Sequence, residues 1–160
     1  MKIIKNYYLE FWGSDNPSGS LNQFESPFVT FKVKFPEEDR VDLYQSADLL
    51  IVSANFDQNT IDHYEYSYPI KFTECIGSVS PTFLYSPEEF GSVRTFVEEG
   101  IGILITKRWI QSLLHQFKLI SSQYSDFAVK AFDDSKLVHT KFSTDIISIN
   151  FQQSLVENLA

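Results

Sequence analysis

The sequence predicts an α+β fold, with a mostly antiparallel β-sheet and two central helices packed on one face of it. Segments in which every second residue is apolar occur in the first and last parts of the chain, whereas helical apolar spacing occurs in the middle. The chain has 160 residues, of which 43% are hydrophobic and 16% aromatic. A chain of this length buries roughly 70% of its unfolded surface, enough for one core. We therefore expect a single globular domain over residues 1–160.

The first half of the chain contains two strand signals and one loop signal. From Val29 to Phe35, apolar and polar residues alternate strictly, as in a strand with one buried face. Leu49 to Ala54 is a short continuous apolar run, which favours a central strand covered on both faces. Residues 13–26 are rich in Gly, Asp, Asn, Pro and Ser, which predicts a hairpin loop.

A third strand is predicted where tyrosines recur at every second position. The residues of one parity are Tyr64, Tyr66, Tyr68, Ile70 and Phe72. Pro69 removes a hydrogen-bond donor, which places this strand at a sheet edge or a bulge. The pattern leaves open whether the tyrosine face belongs to the core or to an interface.

Two helices are predicted in the middle of the chain. Ser86, Pro87 and Glu89 match a capping box with proline at the first helical position, and the helix should end near Gly100. The second helix is indicated by an apolar stripe at helical spacing: Ile110, Leu113, Leu114 and Phe117. Residues 101–105 fit either a buried strand or helical turns.

The last third of the chain alternates again. Two alternating segments, centred on Val129 and Thr140, flank turn-forming residues 133–135, which predicts a hairpin over about 127–142. A final strand is predicted over 146–151.

The sequence contains no recognisable signature of catalysis or of cofactor binding. The histidines His63, His115 and His139 are far apart, and Cys75 is the single cysteine, so no zinc-ligand spacing occurs. The glycines at 100 and 102 are followed by Ile105 where a dinucleotide fingerprint needs its third glycine. We therefore predict no metal, no cofactor and no enzymatic activity, with a small enzyme or ligand-binding protein that has an aromatic-lined pocket as the alternative.

Charge is segregated along the sequence. Residues 37–99 contain thirteen Asp and Glu against three Lys and Arg, although the whole chain sums to −8. Residues 100–141 have six Lys and Arg against three Asp. An acidic surface attracts basic proteins and repels the phosphate backbone of nucleic acid. We therefore expect a basic protein partner and no binding to nucleic acid.

Several carboxylates in the acidic region have no evident structural role in the sequence. Asp57, Asp62 and Glu65 flank the tyrosine-rich segment, and a tyrosine among acids is typical of protein-binding surfaces. Glu98 and Glu99 would oppose the dipole of the helix that they end, unless they pair with the basic residues at 107 and 108. The predicted partner-binding residues, on one exposed negative face, are Asp57, Asp62, Glu65, Tyr66, Glu98 and Glu99.

The predicted function is that of an acidic binding protein that neutralises a basic partner, specifically an immunity protein that inhibits a bacterial nuclease toxin. Residues 1–12 lack the apolar core of a signal peptide, and no stretch approaches the roughly 20 apolar residues of a membrane span. The expected location is the cytoplasm. A further alternative is a phage or mobile-element protein whose carboxylates mimic nucleic acid.

Overall fold

The computed structural model describes residues 8–12, 26–32, 35–66, 70–143, 145–149 and 152–153. The chain forms two compact units, residues 1–43 and 44–160. Over the described residues, six helices of seven or more residues and two small sheets make an α+β protein, and both sheets are parallel. The predicted antiparallel sheet is therefore wrong. The prediction of a single domain stays a prediction.

The helices and strands follow one another in a mixed order. The strands are β1 (Leu9–Trp12), β2 (Val29–Lys32), β3 (Leu50–Ser53), β4 (Thr82–Tyr85) and β5 (Ile103–Ile105). The helices are α1 (Arg40–Ser46), α2 (Gln58–Tyr64), α3 (Ile70–Gly77), α4 (Gly91–Glu99), α5 (Ile110–Ser122) and α6 (Tyr124–Lys141).

The first unit contains the β1–β2 pair. These strands run parallel, from Leu9 opposite Val29 to Trp12 opposite Lys32. The rings of Phe11 and Phe31 stack on one face with centroids 5.1 Å apart. The alternation that predicted β2 is confirmed at 29–32. Parallel strands cannot be joined by a tight hairpin, so the predicted hairpin connection is wrong, and residues 13–25 of that loop lie outside the described residues.

The second unit contains a three-stranded parallel sheet in the order β3-β4-β5. Helices connect successive strands, which is the connection that parallel pairing requires. The predicted strand over Leu49 to Ala54 is confirmed as β3, but it lies at an edge of the sheet. The central strand is β4 (Thr82–Tyr85), which the sequence did not predict.

Helices cover both faces of this sheet, so the prediction of helices on one face is wrong. Successive side chains of a strand point to opposite faces, and β4 shows this directly. Leu84 packs with α3, α4 and α6 in one buried cluster. Phe83 packs with Ile120 of α5 in a second cluster, and its ring stacks on Phe117 at 5.4 Å.

The predicted tyrosine-rich strand is wrong. Tyr64 ends α2, Ile70 begins α3, and Tyr68 lies outside the described residues. In α3 the buried residues are Phe72, Cys75 and Ile76, which are spaced as one helical stripe. The two-residue recurrence between Tyr64 and Phe72 was therefore a coincidence of composition.

The predicted hairpin over 127–142 is also wrong, because the segment forms the long helix α6. Its buried residues are Ala131, Ser135 and Val138, spaced by four and three positions. The serine in the middle of this stripe hid the helical period. The predicted last strand is wrong as well, since residues 145–149 are helical and 150–151 lie outside the described residues.

The turn between α3 and β4 contains a strained residue. Val79 has a backbone φ of +66°, a left-handed conformation that β-branched residues rarely adopt. The side chain is 38% exposed, so little packing holds it there. We predict that Val79→Gly raises the free energy of unfolding by about 1 kcal/mol, because glycine adopts this conformation without steric cost. Urea unfolding measures this change, and Val97→Gly, in the interior of α4, should instead destabilise the protein.

Candidate functional site at the carboxyl edge of the sheet

The parallel topology brings the carboxyl ends of β3, β4 and β5 to one edge of the sheet. The backbone hydrogen bonds between neighbouring strands continue one residue beyond the ends of β3 and β4. The amide of Ala54 donates to the carbonyl oxygen of Tyr85 at 2.9 Å, and the amide of Ser86 donates to that of Ile105 at 3.1 Å. This edge is where ligands bind in open parallel α/β sheets. The residues that follow the three strands therefore form the candidate site.

Aromatic rings lie at this edge. Phe56, after β3, is 4.8 Å from Tyr85, the last residue of β4, in a tilted arrangement. Tyr64, at the end of α2, stacks on Phe90 at 5.2 Å just before α4 begins. Phe56 and Tyr85 are half-buried and Phe90 is buried. The rings give the edge flat apolar surfaces of the kind that line ligand sites.

The loop between β4 and α4 differs from the prediction. Helix α4 begins at Gly91, and its N-cap residue is Phe90, which makes no side-chain capping bond. The predicted capping box at Ser86, Pro87 and Glu89 is therefore wrong. The amide of Ser86 continues the pairing of β4 with β5 by donating to the carbonyl oxygen of Ile105. The helix therefore begins at Gly91, five residues after Ser86. The predicted end at Gly100, in the left-handed conformation, is confirmed.

Two buried serine hydroxyls at this edge have no partner. Ser86 is 1% exposed and Ser92, in the first turn of α4, is 0% exposed. Neither Oγ has a hydrogen-bond partner among the described residues. A buried polar group left without a partner costs about 1–3 kcal/mol, and the great majority of such groups are bonded. This pair is therefore an unusual feature of the β4–α4 connection.

Polar side chains complete the edge. The hydroxyl of Thr106, after β5, donates to the carboxylate of Glu88 at 3.5 Å. Glu88 itself is exposed. The edge thus combines half-buried rings, an exposed carboxylate and two unbonded hydroxyls.

The sequence did not predict a role for Phe56, Tyr85, Ser92 or Thr106. A signal exists for three of them, since Phe56, Tyr85 and Thr106 follow or end short apolar runs, but Ser92 does not. This signal indicates a shared site only when the strands are known to be parallel, because parallel strands place their carboxyl ends at one edge of the sheet.

The predicted partner-binding residues lie in two groups. Asp57, Asp62, Glu65 and Tyr66 lie on or next to α2, whereas Glu98 and Glu99 lie in the last turn of α4. The guanidinium of Arg94 donates to the backbone oxygen of Glu65 at 3.1 Å, which joins the end of α2 to the middle of α4. One shared negative face stays a prediction.

Three of these carboxylates have local partners. Asp57 caps α2, accepting from the amide of Thr60 at 3.0 Å. Asp62 accepts from Gln58 at 2.7 Å. Glu99 pairs with Lys141 at 2.5 Å, so it does not serve the predicted pair with residues 107 and 108.

The cap at Asp57 makes stability depend on pH. The hydroxyl of Thr60, followed by its amide, lowers the pKa of Asp57 below its ordinary 3.8. Because the folded-state pKa is the lower one, the stabilisation is complete above the ordinary value and is lost as pH falls through the folded value. We predict that Asp57→Asn is less stable than wild type at neutral pH and that the difference shrinks in acid. Asp62→Asn is the control, and urea unfolding across the acid range measures both.

Other candidate groups are inert or scattered. Cys75 is buried, and burial, with a smaller contribution from Glu74, raises the pKa of its thiol to about 11. Within the described residues, no group of three or more His, Cys, Asp and Glu is placed to hold a metal ion. None of the helices described is long and apolar enough to cross a bilayer.

Comparison with known proteins gives no family assignment. No protein-family model matches the chain, and searches of curated proteins and of solved structures find no significant match.

Proposed function

We propose that residues 44–160 form a ligand-binding domain whose site is the carboxyl edge of the β3-β4-β5 sheet. One observation carries the proposal: two fully buried hydroxyls, on Ser86 and Ser92, lack partners at the edge where parallel sheets bind ligands. A polar group of the ligand would accept hydrogen bonds from them. Phe56 and Tyr85 would contact its flat apolar part. The ligand class is a small organic molecule with an aromatic or other flat portion and an oxygen-bearing group.

Binding requires the residues that cover the two hydroxyls to move. Both serine hydroxyls are closed to solvent in the free protein, so a ligand reaches them only if the residues packed over them shift. The unmet hydrogen bonds lower the stability of this closed state, and the ligand would recover that free energy.

A thermal-shift screen tests this proposal. The library consists of small aromatic compounds that carry hydroxyl or carboxylate groups. Ligands that bind the folded state raise the melting temperature with concentration. We expect stabilising compounds to act on wild type and to lose most of their effect on the double variant Ser86→Ala, Ser92→Ala.

The control for the screen is Ser135→Ala, which removes a buried serine hydroxyl that already bonds the Gly77 carbonyl at 2.9 Å. Its response to the compounds should match that of wild type. A library with no stabilising compound, or equal shifts in the double variant, would contradict the proposal.

A second candidate function is the acidic binding protein that the sequence predicts, in its specific form an inhibitor of a nuclease toxin. The supporting observation is Tyr66, which is 87% exposed beside Asp62 and Glu65 at the end of α2. An exposed aromatic ring among carboxylates is suited to anchor a basic protein.

Binding kinetics against a panel of immobilised basic nucleases test this second function. Association should slow steeply as salt rises, because electrostatic steering is screened beyond roughly 8 Å at physiological ionic strength. Charge reversal at Asp62 and Glu65 should reduce the association rate, whereas Tyr66→Ala should speed dissociation. For charge reversal on α4, Glu98→Lys is the better test. Glu99→Lys would also break the ion pair between Glu99 and Lys141. Rates that do not change with salt or charge reversal would rule the function out.

A further inference from the structure

A groove of about 430 Å³ lies between the carboxyl end of β5 and the first half of α5. Leu104 and Ile105 of β5 contribute apolar surface to it. The remaining lining is polar: Thr106, Lys107, Gln111, Ser112, His115 and Gln116. The volume is in the range of small-molecule sites and exceeds what a single ion needs.

The charge of the groove differs from that of the protein. The chain has a net charge of −8, yet no Asp or Glu is among the residues that line the groove. Lys107 is a cation. Gln111, Gln116 and Ser112 can donate hydrogen bonds, whereas the Thr106 hydroxyl donates to the carboxylate of Glu88, a residue outside the lining. The ammonium of Lys107 and these donors make the lining itself complementary to an anion.

We infer that this groove binds the phosphate group of a small organic phosphate. A lysine ammonium is a common phosphate partner that acts as a point charge, and bonds from charged donors are about twice as strong as neutral ones. The positive end of the α5 dipole adds to the attraction. The apolar surface of Leu104 and Ile105 is suited to the organic part of the ligand. This site lies on the α5 side of β5 and goes beyond the function proposed for the β4–α4 edge.

Titration followed by ¹H–¹⁵N NMR tests the inference, with the side-chain amides of Gln111 and Gln116 as reporters. Sulfate and phenyl phosphate are the probes, with sodium chloride at matched ionic strength as the background. Phenyl phosphate should bind saturably and more tightly than sulfate, because its ring reaches the apolar surface.

Matched variants test the role of the lysine charge. Lys107→Gln should weaken phenyl phosphate binding about three- to fivefold, as expected for the loss of one exposed charge contact. Lys71→Gln, on α3, should leave it unchanged. Shifts that do not saturate, equal affinity for the two probes, or unchanged affinity in Lys107→Gln would each overturn the inference.

Discussion

Replacing Asp134 with alanine is expected to lower the free energy of unfolding by about 3 kcal/mol. The Asp134 carboxylate, on α6, is only 12% exposed. It accepts from the amide of Gly102 at 2.8 Å and from the ammonium of Lys130 at 2.7 Å. The same ammonium donates to the carbonyl oxygen of Gly100 at 2.6 Å.

The size of this effect follows from the position of the network. The hydrogen bonds of Asp134 and Lys130 link α6 to the short connection between α4 and β5, where Gly100 and Gly102 both have positive φ. Without the carboxylate, the Gly102 amide loses its partner and Lys130 keeps a half-buried charge with no counterion. Both losses act on the connection that sets the position of β5.

A neighbouring pair supplies the control. Asp133 is 68% exposed and lies 3.5 Å from Lys136. Exposed pairs of this kind contribute little, so Asp133→Ala should change stability by no more than about 0.5 kcal/mol. Urea unfolding of both variants measures the difference. Equal effects of the two substitutions would show that the Asp134 network does not fasten the α4–β5 connection.

Removing the hydroxyls of Ser86 and Ser92 is expected to stabilise the protein. Each substitution by alanine removes a buried group that lacks a hydrogen bond, so each should raise the free energy of unfolding by about 1 kcal/mol. The two sites flank the loop between β4 and α4, so the double variant also reports whether their effects add. Replacing a buried serine whose hydroxyl is hydrogen-bonded should instead lower the free energy of unfolding.

Ser135→Ala is the matched substitution for that comparison. Its hydroxyl bonds the Gly77 carbonyl, so its loss should lower stability by about 1 kcal/mol. If Ser86→Ala and Ser92→Ala stabilise the protein and also abolish its response to the ligand, the two hydroxyls serve ligand binding at a cost in stability. Destabilisation like that of Ser135→Ala would mean that both hydroxyls have partners in solution.

The sequence predicted individual elements better than their arrangement. Alternation located β2, an apolar run located β3, a glycine located the end of α4, and an apolar stripe located α5. These signals are local, and they record which side of a segment is buried. They do not record strand direction, which depends on whether the connections are turns or helices. Reading residues 64–72 and 127–142 as strands removed two helical segments and made the sheet look antiparallel.

The candidate site could not be predicted for the same reason. Charge segregation directed attention to Asp57, Asp62, Glu65, Glu98 and Glu99, yet the structure gives Asp57 a capping role and Glu99 an ion pair. Ser86 was assigned to a helix cap because local spacing matched one. In the structure, the Ser86 amide instead continues the pairing of β4 with β5, and its hydroxyl is buried without a partner.

Chemical-shift mapping tests the central claim, ligand binding at the carboxyl edge, most directly. ¹H–¹⁵N spectra of the whole chain would be recorded with the compounds that raise its melting temperature in the screen. We predict that the largest saturable shifts occur at residues 54–57 and 85–92. Largest shifts at the end of α2, around Asp62 and Tyr66, or shifts spread evenly over the domain, would contradict a ligand site at this edge.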